Sequence, residues 1–414
     1  MRSQRWLRIM PVATVMYSIA FINRTNVSQA LPSISRDLHL DPLQAGAIAG
    51  IFFWGYLLLQ IPGGYLASAW STRWLVGFLL GAWGICAVAT GLVHNFAELW
   101  VMRFVLGVAE GGMYPATLVL LSHWFPRKER ARAAGVFLVA VPLSMAFSSP
   151  LSGWLLDRWS WRVMLGVEGA FPLVWLFAWI FVMRDYPHEA EWVSDEERNY
   201  LENEHRLDMA ARESTGRESY LKGLFSPQAL LMALIAFLSL TGQLGYLFWL
   251  PSAIEKARSM SHLLAGTLYT IPFLIGAISM VVNSAHSDKT SERRLHVAAP
   301  LAFGGLALFG SVLTIQQFPV LAFFLVCLAA IGPFAWLGPF WAMPTERFSR
   351  KVAGSVAGLV NGVGNLGGFC GPLLVGYLNK RTGHFGYGFG VLAALMLTAA
   401  VLCLGIRTPT GIVR

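Results

Sequence analysis

The chain has 414 residues, 56% of them hydrophobic and 13% charged, about half the ~25% charged share of soluble domains. Runs of about 20 apolar residues recur along it, so composition excludes a soluble globular protein and defines an all-α, polytopic membrane protein. The four cysteines, Cys86, Cys327, Cys370 and Cys403, all lie in apolar runs, with neither a disulfide framework nor metal-ligand spacing.

Twelve membrane spans are predicted in chain order, at about 8–29, 42–66, 72–93, 97–123, 131–156, 161–183, 227–252, 262–285, 296–316, 318–343, 350–378 and 385–407. The first is too long and too polar for a cleaved signal peptide and reads as a retained span. With the N-terminus inside, the cytoplasmic segments hold 22 Lys or Arg. The opposite loops hold 7: Arg36, Arg158, Arg162, Lys256, Arg258, Lys380 and Arg381. The positive-inside rule then puts both termini in the cytoplasm, and the net charge of +9 is an orientation signal, with no nucleic-acid partner implied.

Residues 184–226 are charged and poor in apolar side chains, and divide the chain into halves 1–183 and 227–414. Within this cytoplasmic linker, Ser194-Asp195-Glu196-Glu197-Arg198 predicts a short surface helix with an N-cap and an acidic first turn. The halves echo each other: Ser149-Pro150-Leu151 with Gly153 in span five resembles Gly371-Pro372-Leu373 with Gly376 in span eleven. Two pseudo-symmetric six-helix bundles are expected, with the binding site between them near the bilayer midplane.

Charges inside spans carry the functional reading. Arg24 stands in the stretch Asn23-Arg24-Thr25-Asn26-Val27-Ser28 of span one, where a bare charge costs roughly 2.5–3.5 kcal/mol at a helix centre. It reads as the holder of an anion, with snorkelling to the headgroups as the bland alternative. Glu110 in span four follows Arg103 by about 10 Å of helical rise, too far for a direct pair without long side chains reaching. Burial favours a neutral carboxyl and a nearby cation favours the charged one, so Glu110 near Arg24 is suited to carry a proton. A permanent ion pair with Arg24 or Arg103 is the alternative. Arg103 reads as structural or as a modulator of Glu110. Glu168 in span six reads as a gate or helix contact and as the second candidate for the proton. No metal cluster or nucleophile triad occurs in the spans, so no enzymatic activity and no cofactor is expected.

The order and spacing of these motifs resemble the major facilitator superfamily, and within it the organic anion:proton symporters, a group that includes permeases for sugar acids, tartrate and phthalate. The resemblance rests on Asn23 through Ser28, on Tyr56 with Gln60-Ile61-Pro62-Gly63-Gly64, on Arg103 through Gly111 with Tyr114-Pro115-Ala116, and on His286 through His296. It covers nearly the whole chain and implies a monomer in the inner membrane that takes up a small organic anion with protons by alternating access. It assigns proton coupling to Glu110. Substrate contact is expected from Arg24, Tyr56, Gln60, Gln243, Tyr246, Trp336, Asn361 and Asn365, with Trp341 as a further wall. Gating on the cytoplasmic side falls to Asp288, Arg127 and Arg130.

Three departures bear on mechanism. Asn23 stands where many relatives carry Asp, so one titrating acid and one proton per monoanion is the simplest stoichiometry. Ser68 stands where the superfamily usually has an Asp that latches the loop after span two. Span five lacks the glycine-dense pattern of drug:proton antiporters, which lowers the standing of the competing reading, an exporter on the same fold.

Overall fold

A bilayer offers no water to an unpaired peptide group, so a spanning chain must satisfy its backbone internally, and this one does so with helices. The computed structural model describes residues 4–213, 225–258, 261–348 and 350–406, and among them there is no strand. Twelve helices are long and apolar enough to cross a membrane: Gln4–Asp37, Pro42–Gln60, Thr72–Thr90, Phe96–Trp124, Gly135–Arg158, Trp161–Val182, Pro227–Ile254, His262–Thr290, Arg294–Thr314, Pro319–Pro344, Ser355–Thr382 and Phe385–Leu404. They match the twelve expected spans. Span one runs further than expected, and about 20 Å of helix continues beyond Arg24. Arg24 therefore lies well inside the span.

Two spans expected to be continuous are broken, each for the same local reason. A proline has no N–H and clashes with the carbonyl four residues back. Span four stops at Gly111 and restarts at Met113, with Pro115 four residues after Gly111. Span ten stops at Ala329, ahead of Pro333, and again at Ala335, ahead of Pro339.

Contacts divide the chain into two compact units, cut differently from the expected halves. The first holds the chain up to Val27, Ile51–Met145, and the stretch from Arg158 through the linker helix. The second holds Ser28–Gly50, Ala146–Asp157 and the C-terminal half. The ends of spans one, two and five thus belong with spans seven, eight and eleven. The physical reason is backbone proximity within the second unit: a methyl at Gly153 would collide with the carbonyl of His262, and one at Gly266 with that of Ser149. The Asp157 carboxylate accepts the N–H groups of His262 and Leu263 at 2.9 and 2.8 Å, which satisfies orphan donors at the start of span eight. In the same unit Lys380 donates to Asp41 at 2.9 Å.

The linker forms the expected helix, Asp195–Glu213, and Ser194 Oγ accepts the Glu197 N–H at 3.3 Å. The helix is tied to the rest of the first unit by Arg5, which is 5% exposed. Arg5 donates to Glu197 at 2.9 Å and to both oxygens of Glu129 at 2.8 and 3.0 Å. The loop after span two is fastened by Asp185, which follows span six. That carboxylate accepts the Ser71 hydroxyl, and the Arg73 N–H at 2.7 Å.

Candidate functional site

The site in the first unit begins with glycines. A methyl at Gly107 would strike the Phe52 carbonyl, and one at Gly111 the Tyr56 carbonyl. Bare backbone at both positions lets span two lie directly on span four. That approach brings the rings of Phe52 and Tyr56 to Arg24 of span one, whose guanidinium carbon lies 5.4 and 4.7 Å from their centroids and 4.4 Å from that of Phe21.

Arg24 spends its charge on Glu110. Its Nε donates to Glu110 Oε1 at 3.0 Å, and its Nη2 donates to the same oxygen. Both groups are sealed, Arg24 at 6% and Glu110 at 0% exposure. The second carboxylate oxygen, Oε2, is buried and has no hydrogen-bond partner among the described residues. Arg103 does not pair with Glu110, in keeping with their separation along the helix. It donates instead to the backbone carbonyls of Arg24 at 3.1 Å and Asn23 at 3.4 Å, and its guanidinium lies 5.0 Å from the Phe52 ring centroid. Arg103 therefore fixes the backbone that carries Arg24. Asn23 donates to the carbonyls of Ile19 at 3.1 Å and Glu168 at 3.2 Å, joining span one to span six. The Glu168 side chain is wholly buried. Gln60 is partly buried, and its Oε1 has no partner among the described residues.

In the second unit the expected residues part ways. Gln243 is 6% exposed, and its Oε1 is buried without a partner among the described residues. Asn365 donates to the carbonyl and the side-chain oxygen of Asn361, at 2.8 and 3.2 Å. Tyr246 does not offer a free hydroxyl, because it donates to the Val326 carbonyl at 2.9 Å and ties span seven to span ten. Trp336 is no cavity wall. It is fully buried in the packed core with Phe340 and Met343, its N–H donated to the Pro333 carbonyl at 3.0 Å. Trp341 packs partly buried against the same core.

Asp288 is ion-paired: Arg293 donates to it at 2.5 Å and to Glu346 at 2.7 Å. The side chains of Arg127, Arg130 and Ser68 lie outside the described residues. The sequence reading missed Arg5, Glu129, Glu197 and Asp185, whose partners are more than a hundred residues away. A charged residue flanking a span was the one available signal.

Twelve spans with an ion pair enclosed among their side chains define a multi-pass membrane protein. The chain belongs to the Major Facilitator Superfamily, whose profile matches residues 13–372. It is 33% identical over 405 residues to a protein of Agrobacterium vitis provisionally named a tartrate transporter, covering 96% of this chain and 89% of that one. It is 29% identical over 405 residues to a quinolone resistance transporter of Acinetobacter baumannii, covering 95% and 92%. Among solved structures, a D-xylose–proton symporter superposes with a TM-score of 0.74 at 15% identity, covering 97% of this chain and 98% of that one. At that identity the likeness is one of fold.

Proposed function

We propose that the chain is a proton-coupled importer of a small organic anion, working as a monomer in the inner membrane with both termini in the cytoplasm. The observation that carries this is the sealed Arg24–Glu110 pair, with one Glu110 oxygen left unpartnered among the described residues. With Glu110 ionised, Arg24 is satisfied and has little to offer a carboxylate. A proton arriving at Glu110 Oε2 removes the counter-charge. A buried guanidinium left alone is strongly unfavourable, so Arg24 then recruits the carboxylate of the substrate. Proton and anion enter together, and each favours the presence of the other. One proton with one monoanion carries no net charge, because Asn23 adds no second acid. Transport of a monoanion then responds to the pH gradient and not to membrane voltage, which would otherwise supply about 2.3 kcal/mol per charge per 100 mV. In the second unit, Gln243, Asn361 and Asn365 are neutral hydrogen-bonding groups available to a substrate, and Asp288 with Arg293 acts as a gate latch. The similarity to the Agrobacterium vitis protein supports an organic anion such as a hydroxy acid.

The test is uptake into proteoliposomes under an inward proton gradient, with labelled hydroxy acids and aromatic acids, for wild type and Glu110→Gln. Wild type is expected to accumulate one acid above equilibrium, and the variant only to equilibrate it. Equal accumulation by the variant would remove Glu110 from coupling and move the role to Glu168. A second reading, export of small organic compounds, is favoured by the similarity to the quinolone resistance transporter. Proton-driven movement of the acid out of the lumen of inside-oriented vesicles, with no uptake, would establish that reading instead.

A further inference from the structure

In the first unit, between the start of span one and the exit of span six, lies a groove of about 430 Å³. Span six ends at Val182 and the polar linker follows, so the groove straddles the line where apolar chain meets water. Its apolar wall includes Phe181, which is 74% exposed, as a side chain bathed by lipid is. Its lining also includes two basic residues, Arg8 and Arg184, and two acidic ones, Glu189 and Glu191. Arg8 lies over the Trp192 ring, 5.2 Å from its centroid. Arg184 is held against the end of span six, donating to the carbonyls of Phe181 at 3.1 Å and Met183 at 2.8 Å. One oxygen of Glu189 accepts the Asp185 N–H at 3.0 Å, and Glu189 and Glu191 are both exposed.

These four charges sum to zero, and that restricts the occupant. A purely anionic headgroup would meet both arginines but also both carboxylates. A zwitterion carrying a phosphate and a primary ammonium satisfies both signs with charge-assisted hydrogen bonds. A quaternary ammonium has the charge but no N–H to donate. We propose that the groove binds a glycerophospholipid with an ethanolamine headgroup, its phosphate on Arg8 and Arg184, its ammonium on Glu191 and an acyl chain along Phe181. Trp192, beside Arg8 in the groove, adds an aromatic side chain of the kind that anchors at headgroups.

The full-length protein in detergent, titrated with palmitoyl-oleoyl phosphatidylethanolamine, phosphatidylcholine or phosphatidylglycerol and followed by native mass spectrometry, tests this. Wild type is expected to hold the ethanolamine lipid about tenfold more tightly than the choline lipid, the worth of one charge-assisted hydrogen bond. Glu191→Gln is expected to erase that preference while choline-lipid binding persists. Arg8→Gln is expected to weaken both. Glu196→Gln, an exposed acid on the linker helix outside the groove, is expected to leave the preference intact. Equal ethanolamine and choline binding in wild type would overturn the proposal, as would tightest binding of the glycerol lipid. It would also fall if the preference survived in Glu191→Gln or was lost in Glu196→Gln.

Discussion

Around Arg24 and Glu110 the chain buries formal charges, whereas around Gln243 and Asn365 it buries only amides and hydroxyls. The contrast extends across the described residues. Every buried charged side chain, namely Arg5, Arg24, Arg103, Glu110, Glu168 and Asp185, belongs to the first unit. The buried polar residues of the second, among them Ser239, Thr241, Gln243, Ser287, Ser311 and Asn365, are uncharged. A charged interior responds to a proton. A neutral one responds to the shape and hydrogen-bonding groups of what it meets. Under the proposed function, the charges of the first unit serve coupling and the neutral groups of the second serve selection.

The largest effect is expected from breaking the charged interior on one side only. Arg24→Ala leaves Glu110 buried without its counter-ion, a loss of about 3–5 kcal/mol for a buried pair. Thermal unfolding in detergent should show a clear drop, and uptake should vanish. The double variant Arg24→Ala/Glu110→Gln should regain most of the stability and none of the uptake; additive losses would mean that the pair does not act as one. The neutral interior should give a milder and different result. Gln243→Ala removes the proposed hydrogen bond to substrate, about 1–1.4 kcal/mol, so KM for the carried acid should rise roughly fivefold to tenfold. The ratio of protons to substrate, read from reversal potentials, should not change. A changed ratio would break the division of labour between the units.

The smallest effect concerns a charge outside the spans. Burial works against the charged form of Asp41, but the Lys380 hydrogen bond and the N–H groups of Gln44 and Leu43 outweigh it and hold this carboxyl below the usual carboxylate range. A depressed folded-state pKa contributes stability above the unfolded value of about 3.9, and that stability is lost as pH falls through the folded value. Asp41→Asn should therefore lower Tm slightly and evenly from pH 5 to pH 8, and the difference from wild type should close below pH 4. A difference that widened in acid would mean that Asp41 is not held as a carboxylate.

The fold was legible because length and hydropathy alone identify spans, and the linker helix because Ser194 and three acids mark its start. Arg24 and Glu110 stood out because charge in an apolar run is expensive wherever it falls. Their pairing was one of two open alternatives, and rise along the helix already argued against Arg103 as the partner. The breaks in spans four and ten were written in Pro115, Pro333 and Pro339, but hydropathy averaging hides them. Trp336 and Tyr246 were misplaced for another reason. Whether a ring lines a cavity or fills a core depends on which neighbour covers its face of the helix, and one sequence does not record that. The hold of Asp185, after span six, on the loop after span two was likewise unreadable, since its partner Ser71 lies 114 residues away.

The Arg24–Glu110 pair also has a history within each molecule. Its members are 86 residues apart, so at about 5–20 residues per second a ribosome makes Arg24 on the order of 4–17 seconds before Glu110. During that interval span one presents an unneutralised guanidinium to the insertion machinery. It can settle only beside water, a headgroup or the translocon wall. Glu110 thus brings its counter-charge to span one only after spans two and three have been made.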